Sequence, residues 1–335
     1  MATKFLAGLT AMLAAGAAWA ALSAGPQGQY LAVWDNEVSS EAGTVRGLGP
    51  REFAYASPGG SAFAVVSIRE GTMPPASTVR VYDHRGRLLW TAADVGATSA
   101  YVADSGAAAL VTVRGEGPTA PARLDFYSAA GARTGGVDVG PPLEAVFFPA
   151  EERLVLSVLD GTTKVYDLAA GVEEYELPYA RAAAAGRDGR VLLVDREWMA
   201  LYRDGGRVWQ APHNLYYPRL AEISEDGTQA VVGAHHEVAL VTLADGRVAR
   251  RWKAPADFGV TDLAAAADFS SFAVGTRSLQ GREAVAWLDA SLKIITQEEH
   301  DVAQPSGSSP TVAVLAGVPP RVLAMGQGWQ ATLTK

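Results

Sequence analysis

Residues 225–252 read EDGTQAVVGAHHEVALVTLADGRVARRW. The stretch begins with an Asp-Gly turn, continues with an apolar run over 229–234, and ends with two apolar segments joined by Asp245-Gly246. Apolar segments with period-two alternation on either side of an Asp/Gly turn are the signature of a β-hairpin. The stretch therefore predicts consecutive antiparallel strands of one small sheet.

The same arrangement occurs seven times along the chain. Its turns can be marked by Gly60, Gly106, Glu152, Gly189, Gly227, Ser271 and Pro320, which are separated by 46, 46, 37, 38, 44 and 49 residues. A repeat of this length, made of short strands, is typical of a β-propeller. We expect an all-β fold, a seven-bladed β-propeller with four-stranded antiparallel blades. The alanine runs 182–185 and 264–267 are too short for isolated helices and are interpreted as strands.

The last repeat is incomplete in the sequence. It offers three strands, Thr311–Leu315, Val322–Met325 and Trp329–Leu333, before the chain reaches Lys335. Two further apolar segments, 30–34 and 44–48, precede the first marked turn. Because an unpaired sheet edge favours aggregation, we expect one of these N-terminal strands to complete the last blade and close the ring.

The N-terminus resembles an export signal. Lys4 is followed by an apolar Ala/Leu/Gly-rich stretch, and Ala18-Trp19-Ala20 satisfies the small-x-small pattern of a cleavage site. We interpret residues 1–20 as a signal peptide, with Leu22-Ser23-Ala24 as a second possible cut, and residues 25–335 as one propeller domain. A periplasmic or secreted protein is expected, although an uncleaved anchor remains the alternative.

Composition excludes several classes of function. Cysteine is absent, which removes disulfides, thiolate catalysis and Cys-ligated metal sites. The formal net charge is −8 and no Lys/Arg run forms a stripe, so nucleic acid is not an expected partner. With 49% hydrophobic residues the chain can bury a large core. We expect no integral membrane span after signal cleavage.

Parts of the repeat resemble known propellers. The segments 81–90 and 201–209, each with a Gly turn followed by a Trp, resemble the repeat of quinoprotein-type, PQQ-like propellers. The turns 57–60 and 225–227 are similar to those of WD40-like and TolB-like bacterial propellers. The resemblance implies a fold rather than an activity. Quinone-dependent alcohol dehydrogenases of this superfamily use a vicinal disulfide that a chain without cysteine cannot form.

Few residues suggest chemistry. His235-His236-Glu237 is the densest cluster of ligand-type residues, but adjacent strand residues point to opposite faces and a polar loop is the simpler interpretation. None of the common hydrolase, metalloprotease, dinucleotide or phosphate-loop motifs occurs. We therefore assign no catalytic, cofactor-binding or metal-binding residue and expect no cofactor. A channel-centred enzyme, a quinoprotein-like subunit and a glycan- or small-ligand-binding propeller stay open as alternatives.

The remaining signal is a surface. Loops that join second to third strands share one propeller face with the loops between blades, and aromatic and Arg side chains commonly anchor protein interfaces. The loop insertions at 69–76, 114–121 and 277–283 lie on the same face. Candidate partner-binding residues are Arg181, Arg196, Trp198, His213, Tyr216, Tyr217, His235 and Glu237. They predict a non-catalytic scaffold that binds an envelope or secreted protein.

Overall fold

The computed structural model describes residues 21–25, 29–33, 36–69, 76–114, 120–149, 151–159, 161–302, 310–317 and 319–334. These residues form eight antiparallel sheets that follow one another along the chain. They contain no α-helix, and their one 3-10 turn is Arg187–Gly189. By internal contacts the chain divides between Tyr179 and Ala180 into two compact units, and Ala24 and Gly25 group with the second of them.

The first unit contains the first four sheets, each of four strands in chain order. Their strands are β1 Ala21–Ala24, β2 Tyr30–Val33, β3 Glu37–Ser40 and β4 Gly43–Gly47; β5 Glu52–Ala56, β6 Ala62–Ile68, β7 Ser77–Asp83 and β8 Leu88–Val95; β9 Ser99–Val102, β10 Ala108–Val113, β11 Ala122–Tyr127 and β12 Arg133–Val139; and β13 Pro142–Phe147, β14 Arg153–Val158, β15 Thr163–Asp167 and β16 Val172–Leu177.

The second unit contains the last four sheets. Their strands are β17 Ala182–Ala185, β18 Arg190–Val194, β19 Trp198–Arg203 and β20 Gly206–Pro212; β21 Leu220–Ile223, β22 Gln229–Gly233, β23 Glu237–Thr242 and β24 Arg247–Lys253; β25 Phe258–Ala265, β26 Ser271–Ser278, β27 Arg282–Asp289 and β28 Ile294–Asp301; and β29 Thr311–Leu315, β30 Arg321–Gly326 and β31 Trp329–Thr334. The last sheet has three strands among the described residues. The alanine run 182–185 is a fully buried strand, as predicted.

The prediction of seven blades closed by an N-terminal strand is wrong. The segments expected to supply the closing strand, 30–34 and 44–48, largely form β2 and β4 of a separate first sheet. β2 pairs with β3, and β3 pairs with β4, so both segments are strands of this first sheet rather than of the last one. The count of repeats began at Gly60 and missed this blade because its strands are only four or five residues long and β1 lies at the second possible signal cleavage site, Leu22-Ser23-Ala24.

The core lies between consecutive sheets. In the first unit, separate buried clusters join the first sheet to the second, the second to the third and the third to the fourth. In the second unit, three more clusters do the same for its four sheets. Since the two faces of each inner sheet contribute to different clusters, its second strand reads as a nearly continuous apolar run rather than an alternating one.

Tryptophan in the fourth strand of a sheet reaches the next sheet in the first unit. The indole N–H of Trp90 donates to the Gly106 carbonyl at 2.9 Å, and its ring stacks on Tyr127 with centroids 5.4 Å apart. Gly131 faces the same indole, where an added Cβ would stand 2.5 Å from the Trp90 Cβ. The Trp thus needs a turn without a side chain on the neighbouring sheet.

The second unit repeats this contact with Trp209. Its indole N–H donates to the Leu243 carbonyl at 2.7 Å, and a Cβ on Gly246 would lie 2.6 Å from Trp209 Cζ3. Gly246 has a φ of +72°, which a residue with a side chain adopts at a cost. One glycine therefore serves both the turn and the packing of the adjacent sheet.

Candidate protein-binding surface

All eight candidate residues lie in the second unit, at one end of its first two sheets. In a sheet of four antiparallel strands in chain order, the loop between the second and third strands and the segment leaving the fourth strand lie at the same end. Here those segments are 195–197, 213–219 and 234–236. We call the residues 181, 195–198, 213–219 and 235–237 together the tyrosine surface.

His213 fixes the loop that carries the tyrosines. Its Nε2 lies 2.8 Å from the Asp195 carbonyl oxygen and 3.1 Å from that of Trp198, while Nδ1 accepts from the Leu215 amide at 3.0 Å. This pattern requires a neutral ring with the proton on Nε2. Burial lowers the pKa of His213, and the positive charge of Arg251 lowers it further. His213 is therefore a structural anchor of the tyrosine surface.

Tyr216 and Tyr217 project from this loop. Their rings meet edge to face with centroids 4.8 Å apart, and the residues are 61% and 42% exposed. The neighbours Leu215 and Pro218 are buried and tie the loop to the core. Tyr217 has a φ of +54°, a left-handed conformation that is rare for a bulky residue. Two large aromatic side chains are thus held at the surface by a loop that is itself anchored.

Two arginines flank Tyr217. The guanidinium carbon of Arg181 lies 4.9 Å from the Tyr217 ring centroid, and that of Arg196 lies 5.8 Å from it. Both distances are within the range of cation–π attraction. Arg181 also pairs with Asp195 at 3.8 Å. Two positive charges, those of Arg181 and Arg196, therefore lie beside the exposed ring of Tyr217.

The His235-His236 pair borders Tyr216. The His235 amide donates to the Tyr216 carbonyl at 2.9 Å, and the two rings have centroids 6.0 Å apart. The His236 ring lies 4.0 Å from that of His235, and His236 Nδ1 is 2.7 Å from the Phe258 carbonyl. Burial lowers the pKa of His235, and His236 and Arg219 add to the effect. His235 thus ties the segment 234–236 to the loop that carries Tyr216, and His236 ties it to the start of β25.

Glu237 is turned toward an arginine that sequence reasoning missed. Its carboxylate pairs with Arg251 at 3.0 Å, and Arg251 also donates to the Asn214 side chain. Glu237 therefore braces the loop, and Arg251 belongs to the site. The pairing of β23 with β24 brings Arg251 close to Glu237. The spacing of Gly/Asp turns in the sequence does not define which residues of two strands pair, so Arg251 was not found from it. Trp198 begins β19 and is partly buried.

Within the described part of the chain, no group of three or more His, Cys, Asp or Glu side chains is arranged to hold a metal ion. Over the same residues, no helix has the length and apolar character needed to cross a bilayer. The insertion at 277–283 is described, whereas those at 69–76 and 114–121 lie largely outside the described residues, as does the segment 1–20.

Comparison with known proteins defines the fold. No protein-family model and no curated protein matches the sequence. Among solved structures, the computationally designed Ika8 protein is similar, with a TM-score of 0.64, 14% identity and coverage of 94% of this chain and 96% of that one. Kluyveromyces lactis Hsv2 has a TM-score of 0.60 at 10% identity, over 82% of this chain and 88% of that one.

A third similar structure is the Cps50 (Swd1) β-propeller domain of Myceliophteria thermophila. Its TM-score is 0.57 at 10% identity, and the match covers 86% of this chain and 96% of that one. Identities this low carry information on fold alone. The chain has an all-β β-propeller fold, and its described residues form eight consecutive blades.

Proposed function

We propose that this β-propeller is a non-catalytic scaffold that binds a protein partner through the tyrosine surface. The observation that carries the proposal is the exposed, edge-to-face pair Tyr216 and Tyr217 on a loop anchored by His213. Tyr and Arg are the residue types most often found at the energetic centre of protein interfaces. A preformed loop loses little conformational entropy on binding, which favours affinity.

Backbone strain at Tyr217 supports the same proposal. A left-handed conformation at a non-glycine residue costs on the order of 1 kcal/mol or more, and such strain concentrates at functional positions. Asn would adopt this conformation more readily than Tyr. Retention of an exposed aromatic side chain in a strained turn favours binding over stability as the reason for Tyr217.

We further propose that the scaffold is an exported bacterial protein whose partner lies in the envelope or outside the cell. The signal-like composition of residues 1–20 supports export. If the signal is cleaved, the cut after Ala20 is favoured over the cut after Ala24, because the latter would remove β1, whose Leu22 and Ser23 are buried. N-terminal sequencing of the protein from a periplasmic fraction distinguishes Ala21 from Gly25 as the first residue.

Site-specific photocrosslinking in the source cells tests the binding surface. p-Benzoylphenylalanine replaces Tyr216 in one variant and Val208 in the matched control; Val208 is 58% exposed but lies near the opposite end of its sheet. We expect a discrete crosslinked product at position 216 that is lost on Tyr217→Asn, and none at position 208. The proposal is overturned if both positions give the same products, or if position 216 gives none.

A further inference from the structure

The positive charges of the tyrosine surface are unequally compensated. Arg181 and Arg251 are paired with Asp195 and Glu237, at 3.8 and 3.0 Å. Arg196 and Arg219 are exposed, and no carboxylate of the described residues lies within ion-pair distance of either. Arg196 lies beside the Tyr217 ring, and the charge of Arg219 acts on His235. Each arginine therefore lies near one of the aromatic residues of the tyrosine surface.

We propose that the partner presents an acidic peptide segment to this surface, with carboxylates bound by Arg196 and Arg219 and the chain between them lying on Tyr216 and Tyr217. The inference rests on the proposed function, because it specifies the chemistry of the partner at the same surface. Arginine binds carboxylates through paired N–H donors, and its weak hydration makes it suited to interfaces. Opposite charge on the partner also steers the encounter.

The charge pattern favours a peptide over an anionic membrane. Asp195, Glu197 and Glu237 lie among the arginines, and the whole chain carries a formal net charge of −8. A flat anionic bilayer would meet these carboxylates together with the arginines and would be repelled by them at close range. A flexible segment can instead place single carboxylates beside single arginines. Repulsion beyond about one Debye length is screened at physiological salt.

Selection from a displayed library of random 12-residue peptides tests the inference. The target is the full chain, and each selected peptide is measured by fluorescence anisotropy against the wild type and Arg196→Gln/Arg219→Gln. The matched control is Arg85→Gln/Arg207→Gln, which removes the same charge from an exposed arginine in the turn after β7 and from another near the start of β20. Tyr217→Asn reports whether a peptide occupies the tyrosine surface.

We expect selected peptides to be enriched in Asp and Glu relative to the starting library. Their Kd should rise at least about tenfold in Arg196→Gln/Arg219→Gln and less than about twofold in the control. For the wild type, Kd should rise several-fold between about 50 and 200 mM NaCl, since exposed charge pairs are screened by salt. Peptides that bind at the tyrosine surface without acidic enrichment would overturn this inference and leave the proposed function intact. Peptides insensitive to all three variants would contradict both. If vesicles containing 30% phosphatidylserine bind the wild type but not Arg196→Gln/Arg219→Gln, the inference of an acidic peptide is overturned and the partner is a lipid surface.

Discussion

Replacing Trp209 by phenylalanine isolates the contact that holds two neighbouring sheets of the second unit together. The indole N–H donates to the Leu243 carbonyl at 2.7 Å, and the six-membered ring rests against Gly246. Phenylalanine keeps an aromatic ring on the strand but has no donor and does not reach as far. The variant therefore removes one hydrogen bond and part of one packing contact.

The expected cost can be worked out from these two contacts. Loss of a neutral hydrogen bond that leaves a partner partly unsatisfied costs about 1 kcal/mol. The unfilled space beside Gly246 adds about 1–2 kcal/mol, in line with other reductions of side-chain size in cores. The sum is about 2–3 kcal/mol. For a unit of residues 180–335, this corresponds to a fall in Tm of about 5–10 °C.

Thermal unfolding followed by far-UV circular dichroism measures the effect without relying on the fluorescence of the replaced Trp. Val208→Ala is the control, because Val208 is the preceding residue of the same strand and is 58% exposed. It should change Tm by no more than about 2 °C, as surface substitutions usually do. Equal shifts for Trp209→Phe and Val208→Ala would refute the assignment of Trp209 as a link between sheets.

Three further predictions concern residues with defined contacts. Gly246→Ala should destabilise the second unit by about 1–3 kcal/mol in urea unfolding. The loss should be smaller in the Trp209→Phe background, because that substitution removes ring atoms that the new Cβ would meet, and additive losses would contradict the contact. Glu283 is fully buried and accepts the Trp329 indole N–H at 2.8 Å, so Glu283→Ala should lower the free energy of unfolding by at least about 2 kcal/mol and Glu283→Gln by less; comparable losses would argue against the acceptor role. Because the pKa of His213 is lowered on folding from its ordinary value of 6.5, the unfolded chain binds a proton below about pH 6.5 that the folded chain does not, and stability is lost as pH falls; Tm should drop more for the wild type than for His213→Gln between pH 7.5 and 5.5, and parallel drops would exclude this role.

Much of the local structure could be predicted from turn chemistry. Gly86, Gly131, Gly171, Gly205 and Gly246 stand in hairpin turns with positive φ, and the flanking apolar runs are strands with nearly the predicted bounds. Such turns depend on residues only a few positions apart, so short-range patterns are sufficient to find them. The loop 213–218 was identified by its place between the last strand of one repeat and the first strand of the next.

The blade count failed where this local signal is weak. The first sheet is built of four short strands, and its first strand lies at the second possible cleavage site of the predicted signal peptide. The first sheet exists because its strands pair with one another, and the sequence of one strand does not identify the strand with which it pairs. The contacts within the tyrosine surface are set by distant residues in the same way: His213 bonds to the loop after β18, and Glu237 pairs with Arg251. Partner binding by His213 and Glu237 stays a prediction.

The sequence by itself determined an all-β fold, its hairpins and the loop that carries Tyr216 and Tyr217, because turn residues and apolar periodicity act over a few residues. Only the tertiary structure decided that the described residues form eight sheets, that Trp209 bonds to the next sheet, and that Arg181 and Arg196 lie beside Tyr217. Those features join positions up to tens of residues apart. They are set by the packing of sheet against sheet, in which every side chain depends on neighbours from another repeat.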